Sequence, residues 1–154
     1  MNRIKGKNGS GIPGELFAWI VNNIKHGSTI LELGAGNTST RYLSEYFTLY
    51  SVEDNPEYCN LWNSTYIYAP LKDGWYDVDV LKDNLPKEYD ALLIDGPVGA
   101  GNRTGILNNL DLFNLDAVFI FDDTSRETER DLLNKVHKLT GKNKLEFELF
   151  GVLL

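Results

Sequence analysis

Residues 30–40 read ILELGAGNTST, and the fold turns on how this stretch is understood. Ile30, Leu31 and Leu33 are apolar, Glu32 interrupts them, and Gly34, Ala35 and Gly36 follow at once. A hairpin would set Asn-Gly or Gly-X between two alternating strands. Here the next residues, TSTRYLSEYF (38–47), read as a helix instead. A strand, a glycine turn and a helix in that order bring a ligand close to backbone N–H groups.

Upstream, MNRIKGKNGS (1–10) is polar, and a flexible arm is expected over residues 1–12. Pro13 suits the first turn of a helix, Leu16, Ile20 and Ile24 repeat at helical spacing, and His26-Gly27 closes it. Five apolar runs follow: TILEL (29–33), TLYSV (48–52), TYIYA (65–69), YDALLI (89–94) and AVFIF (117–121). The last two are almost continuous, as strands covered on both faces tend to be. Helices are expected at about 38–47, 56–63, 104–113 and 125–140, the last with Leu132, Val136 and Leu139 on its apolar stripe. This alternation predicts an α/β fold: a Rossmann-like, doubly wound, mostly parallel sheet flanked by helices, in one domain over 1–154. The closing LEFELFGVLL (145–154) offers one clear strand. ELFGVLL (148–154) could hold a second only if that strand is very short; a missing last strand would leave an edge for a partner subunit in a homodimer, or mark a trimmed chain.

The chain has 154 residues, 42% hydrophobic and 24% charged, the balance of an ordinary globular domain. Its 22 acidic and 15 basic residues give a net charge of −7, which disfavours phosphate backbones, so no nucleic-acid partner is expected. No apolar run approaches the ~18 residues of a membrane span, and none follows the basic Arg3, Lys5 and Lys7 as a signal peptide requires. A cytoplasmic protein is expected. Cys59 is the single cysteine, which excludes an internal disulfide and a cysteine-based zinc site.

In parallel sheets ligands sit beyond the carboxyl ends of the strands. The first strand delivers Glu32 and Gly34-Ala35-Gly36-Asn37 there, the second Glu53-Asp54, the fourth Asp95-Gly96-Pro97 and the fifth Asp122-Asp123. Carboxylates thus gather on one edge. Glu53, 19 residues beyond Gly34, stands where a carboxylate accepts both ribose hydroxyls. GAGNTS approaches the G-x-G-x-x-G fingerprint with Ser39 in the third place, so an NAD-type oxidoreductase is one reading. Glu32, two residues before the first glycine, weighs against it. An acid there would repel a pyrophosphate and suit a ligand carrying an ammonium or sulfonium charge.

ILELGAGNTST, LYSVEDNPEY, YDALLIDGP and AVFIFDD resemble, in order and spacing, the successive motifs of class I S-adenosylmethionine-dependent methyltransferases, from about residue 28 to 126. The resemblance implies S-adenosylmethionine as cofactor. Glu32, Gly34, Ala35, Gly36 and Asn37 would hold its methionine part and Glu53 its ribose, with the adenine side drawn from YAPLKDGWYD (69–77 with Tyr68). Thr38 departs from the pattern, standing where many relatives have a third glycine. Asp95, Asp122 and Asp123 lie at places similar to the acids that ligate a divalent cation in catechol-type O-methyltransferases. The resemblance therefore implies Asp95 and Asp122 as catalytic residues and, with Asp123, as ligands of a Mg²⁺ that would acidify a hydroxyl. A non-metal version, with Asp95 or Asp122 as general base, stays open. So does plain turn chemistry, although Thr124 and Glu127 already spell a T-x-x-E capping box and leave the Asp pair for other work.

With Arg103, in GPVGAGNRTG, and Arg126, just after the Asp pair, the pattern IDGP…R…DDxxR resembles a methyltransferase subgroup of unsettled substrate, some of whose members resemble plant polysaccharide methylating enzymes. The two arginines would either hold an anionic acceptor or be solvated and salt-bridged. His26 at a helix end, His137 on a solvated face, and the aromatic residues Trp19, Trp62, Trp75 and Tyr76 read as structural. There is no Ser-His-Asp or Cys-His set for hydrolysis. The expected activity is O-methylation of a small-molecule or carbohydrate acceptor. The competing readings are the NAD-type oxidoreductase and a non-catalytic nucleoside-binding relic of the same fold.

Overall fold

TILEL forms β1 (Thr29–Leu33), the middle one of the five parallel strands in a seven-stranded sheet. The computed structural model describes residues 11–99 and 101–154. On one side of β1 lie β2 (Thr48–Glu53) and then β3 (Thr65–Tyr68); on the other, β6 (Ala91–Ile94) and β7 (Val118–Asp122). All five run parallel. The chain moves outward from β1 to β3, then returns to start β6 on the far side of β1. This reversal opens a crevice beyond the carboxyl ends of β1 and β6. A two-stranded hairpin, β4 (Leu71–Lys72) and β5 (Trp75–Tyr76), stands apart from the main sheet.

Side chains alternate between the two faces. Leu31, Leu33, Leu92, Ile94, Phe119 and Phe121 join one core, beneath α3 (Val78–Asn84) and α4 (Glu127–Thr140). Ile30, Ala91, Leu93 and Ile120 join the other, beneath α1 (Gly14–Asn23) and α2 (Ser39–Leu43). Burial on both faces explains the unbroken apolar runs of β6 and β7. Ile12 is fully buried in the second core, so the arm expected over 1–12 does not reach it; residues 1–10 lie outside the described residues.

The final hairpin is complete, which corrects the sequence expectation. β8 (Lys144–Glu146) pairs antiparallel with β9 (Phe150–Leu153), and β9 with β7. The turn between them, closed by Phe147 N–H donating to Phe150 O at 2.9 Å, contains no glycine, proline or asparagine. The nearby Gly151 serves packing instead, because a β-carbon there would run into Leu133 of α4. The edge argument for a homodimer therefore falls away.

Other expectations also change. The helix over 56–63 is a 3-10 turn at Pro56–Tyr58, and that over 104–113 is two 3-10 segments, Arg103–Asn108 and Leu110–Leu112. α4 begins at Glu127 with Arg126 as its N-cap and no side-chain capping bond, so Thr124 and Glu127 do not form the expected box. Leu133 replaces Leu139 on its buried stripe, Leu139 being 65% exposed.

Candidate functional site

A cleft of about 450 Å³ lies at the carboxyl edge of the sheet. The loop after β1, the ends of β2 and β6, and the turn after β7 wall it. Gly34, Ala35, Gly36, Asn37, Glu53, Asp95 and Asp123 all line it, as the sequence places them. Gly34 has φ +93°, and a β-carbon there would come within 2.9 Å of the Asp95 carbonyl oxygen and the Gly96 backbone. Glycine at 34 thus lets the β1 and β6 exits close upon each other.

The loop amides are already engaged. Ala35 N–H donates to Glu53 Oε2 at 2.9 Å, and Gly36 N–H donates to Thr40 Oγ1 at 3.0 Å. Asn55 N–H donates to Glu53 Oε1 at 2.8 Å. One backbone bond on each oxygen fixes the Glu53 carboxylate and leaves a lone pair on each for a further donor. Burial raises the Glu53 pKa, and the amides of Asn55 and Ala35 pull the other way.

Glu32 does not line the cleft. It is fully buried beneath the loop, where Oε1 accepts from Thr40 Oγ1 and, at 2.6 Å, from Ser51 Oγ. The Ser51 hydroxyl is opposite Glu32 in the β1–β2 register and also meets Ser64 Oγ at 2.6 Å. Because Thr40 in turn accepts from Gly36, a chain of bonds runs from Glu32 through Thr40 to the glycine loop. The acid inside the strand thus anchors the loop from below and lies outside the cleft lining. Burial pushes its pKa up to about 7, against the lowering effect of Ser51 and Thr40.

The acids from β6 and β7 converge. Asp95, Asp122 and Asp123 each place a carboxylate oxygen within 4.8 Å of the others. Asp122 is buried behind the cleft wall, whereas the Asp95 side chain is 19% exposed into it. The Asp122 carboxyl stands beside that of Asp95, and burial followed by the facing charge raises the Asp95 pKa well above the carboxylate range. Asp122 is also raised, by burial and then by Asp123. Neighbouring carboxyls of this kind oppose each other's ionisation.

Arg103 lies at the middle of the cluster with only 5% of its side chain exposed. Nη1 donates to the Asp122 carbonyl at 3.2 Å. Nη2 reaches the Asp95 carbonyl at 3.0 Å, Asp95 Oδ1 at 3.3 Å and Asp123 Oδ2 at 3.1 Å. Arg126 meets Asp123 Oδ2 at 3.3 Å from the rim, its side chain 57% exposed. The sequence paired these two arginines as candidate anion holders; only Arg126 faces outward.

Sequence reading brought Asp54 to this edge without giving it a role, and it missed Ser39, Asn55, Tyr58 and Val98 on the cleft wall. The EDNPEY stretch carried a signal for three of them, since Asn55 Oδ1 accepting from Glu57 N–H at 3.0 Å is the asparagine-proline turn chemistry that starts the 3-10 segment. The 68–77 stretch, expected on the adenine side, is absent from this cleft's lining: Trp75 and Tyr76 are buried in the core. His137 is half-buried with Nδ1 against the Lys142 carbonyl at 2.7 Å, and His26 packs on Tyr46 and Phe47.

No protein-family model and no curated protein matches the sequence. Solved structures do. The MycE methyltransferase of the mycinamycin biosynthetic pathway, in complex with Mg and SAH, superposes with TM-score 0.61 at 12% identity over 90% of this chain. A precorrin-6y C5,15-methyltransferase from Geobacter metallireducens gives 0.60 at 17% identity, covering 90% of this chain and 86% of its own. The magnesium protoporphyrin IX methyltransferase from Synechocystis, with bound SAM, gives 0.53 at 12% identity, covering 91% and 76%. The chain spans under half the length of the MycE chain, 46%. The strand order and these likenesses define the fold as that of class I S-adenosylmethionine-dependent methyltransferases.

Proposed function

We propose that the protein is an S-adenosylmethionine-dependent methyltransferase acting on an oxygen of a small hydroxylated or carbohydrate acceptor. The observation that carries this is Glu53, clamped by two backbone amides at the rim of the glycine loop with a lone pair left on each oxygen. That is an acceptor pair for the two hydroxyls of a ribose. The donor set fits a cationic nucleoside. Glu53, Asp54, Asp95 and Asp123 line the cleft against Arg103 and Arg126, four carboxyl groups to two guanidiniums. A dinucleotide pyrophosphate fits poorly, because the amides of Ala35 and Gly36 are already occupied and α2 is only five residues long. This argument replaces the one drawn from Glu32, which is sealed away.

When bound, S-adenosylmethionine supplies an electrophilic methyl on a sulfonium, which passes to the acceptor oxygen while the S–C bonding pair stays on sulfur. Asp95, the cleft-facing member of the neighbouring pair, takes the proton of the acceptor hydroxyl, and its own proton moves onto Asp122. Glu32 contributes by holding the loop through Thr40. An adjoining hollow of about 330 Å³ shares Val98, Arg103 and Arg126 with the cleft and presents Asn102, Thr104 and Thr128, polar groups that suit a hydroxylated acceptor. The test is a screen of hydroxylated small molecules and sugars with methyl-labelled S-adenosylmethionine. Label is expected in ether or ester products; turnover confined to amines or to nucleic acid would overturn the acceptor assignment.

A further inference from the structure

The resemblance to cation-dependent O-methyltransferases implies a divalent ion among Asp95, Asp122 and Asp123, and their oxygen donors are of the right chemical kind. The space between them is filled. Asp95 Oδ1 and Asp123 Oδ2, two oxygens that would close on a metal, both close on Arg103 Nη2 at 3.3 and 3.1 Å. That single nitrogen, with two hydrogens, serves three acceptor atoms once the Asp95 carbonyl is included. An ion held at ~2.1 Å from the same oxygens would overlap the guanidinium. Nor is the arginine free to swing out. Its side chain is 5% exposed, and Nη1 is tied to the Asp122 carbonyl on the neighbouring strand. Arg126 adds a second guanidinium to Asp123 from outside.

We propose that Arg103 occupies the cation position of this carboxylate cluster, so that the positive charge is supplied by the chain itself and no divalent ion binds there. Arg103 is a positioning residue in this account. It ties the exits of β6 and β7 together through two carbonyls and sets where Asp95 and Asp123 point. Both its terminal nitrogens bond to the protein, so contact with an acceptor falls first to Asp95 and Arg126. The inference rests on the site reading above but is tested apart from methyl transfer.

The experiment is a Mn²⁺ titration of the whole protein without cofactor, followed by the electron paramagnetic resonance of free Mn²⁺. Wild-type protein and Arg103→Lys are expected to leave millimolar Mn²⁺ free. Arg103→Ala, which empties the centre of three carboxylates, should bind Mn²⁺ about tenfold or more tighter than wild type, and adding Asp123→Asn should abolish the gain. Micromolar binding by the wild type that Asp123→Asn removes would overturn the proposal, as would a folded Arg103→Ala protein with no gain. If Arg103→Ala fails to fold, the wild-type and Arg103→Lys titrations decide alone. Loss of S-adenosylmethionine binding, by contrast, would defeat the functional reading and leave this result standing.

Discussion

Asp95→Asn is expected to lower methyl transfer by roughly 10²–10⁴-fold, the range for removing a general base. The substitution is mild for the fold. An asparagine oxygen in place of Asp95 Oδ1 still accepts from Arg103 Nη2, and the backbone carbonyl bond at 3.0 Å is untouched. What the amide lacks is the ability to take up a proton from an acceptor hydroxyl. Cofactor affinity should change little, because the proposed ribose acceptor is Glu53, on a different strand. Asp122→Asn should also slow transfer, because burial still keeps the Asp95 pKa raised and the proton on Asp95 then has no carboxyl to move onto. Single-turnover rates with saturating cofactor measure this. An Asp95→Asn protein with near-normal rates would mean that the acceptor needs no base, as an amine with a free lone pair would not.

The second large effect is on stability and concerns Glu32. Its pKa is raised from 4.5 to about 7, so between those values the folded protein holds a proton that the unfolded chain releases. Stability from this group is therefore fully present below about pH 4.5 and is lost as pH rises through about 7. At 1.36 kcal/mol for each pH unit, the loss between about pH 5 and 8 is roughly 2–3 kcal/mol. Glu32→Gln keeps an oxygen for Ser51 and Thr40 but does not titrate, so this component of the pH slope should vanish. Glu53, which faces Glu32, and Asp54 are also raised and contribute the same sign in both proteins, so the comparison isolates Glu32. Urea unfolding of the two proteins across this range is the measurement. Parallel slopes would show that Glu32 is already ionised in the folded state.

The two effects also mark how far the sequence could be read. The five parallel strands were legible because each is an apolar run bounded by turn chemistry, and strand-end position alone brought Glu53, Asp95, Asp122 and Asp123 to one edge. The final hairpin was not, since its turn lacks turn residues and its glycine is spent on Leu133. α3 was missed because it is seven residues long and buries only Leu81, too little to produce a period. The expected helix over 104–113 breaks where Gly105 lies against the Trp75 ring and Asn109 Nδ2 caps the Gly105 carbonyl at 2.9 Å. Glu32 was singled out as a ligand contact; its bond to Ser51 from beneath the loop depends on the pairing of β1 with β2, which no local pattern carries. Arg103 was the hardest to foresee. A lone arginine in a glycine-rich loop looks solvated, and only the folding of that loop back under the strand ends buries it among three carboxylates.

The central claim is that the cleft binds an adenosyl sulfonium cofactor through Glu53, and calorimetric titration of the wild type and Glu53→Ala with S-adenosylmethionine, S-adenosylhomocysteine and NAD tests it most directly. Wild-type protein should bind both adenosyl ligands with one-to-one stoichiometry and NAD not at all. Glu53→Ala should weaken the adenosyl ligands by about 1–3 kcal/mol, the loss expected for hydrogen bonds to a charged group. Binding of NAD in preference to S-adenosylmethionine, or equal affinity in the two proteins, would contradict the account.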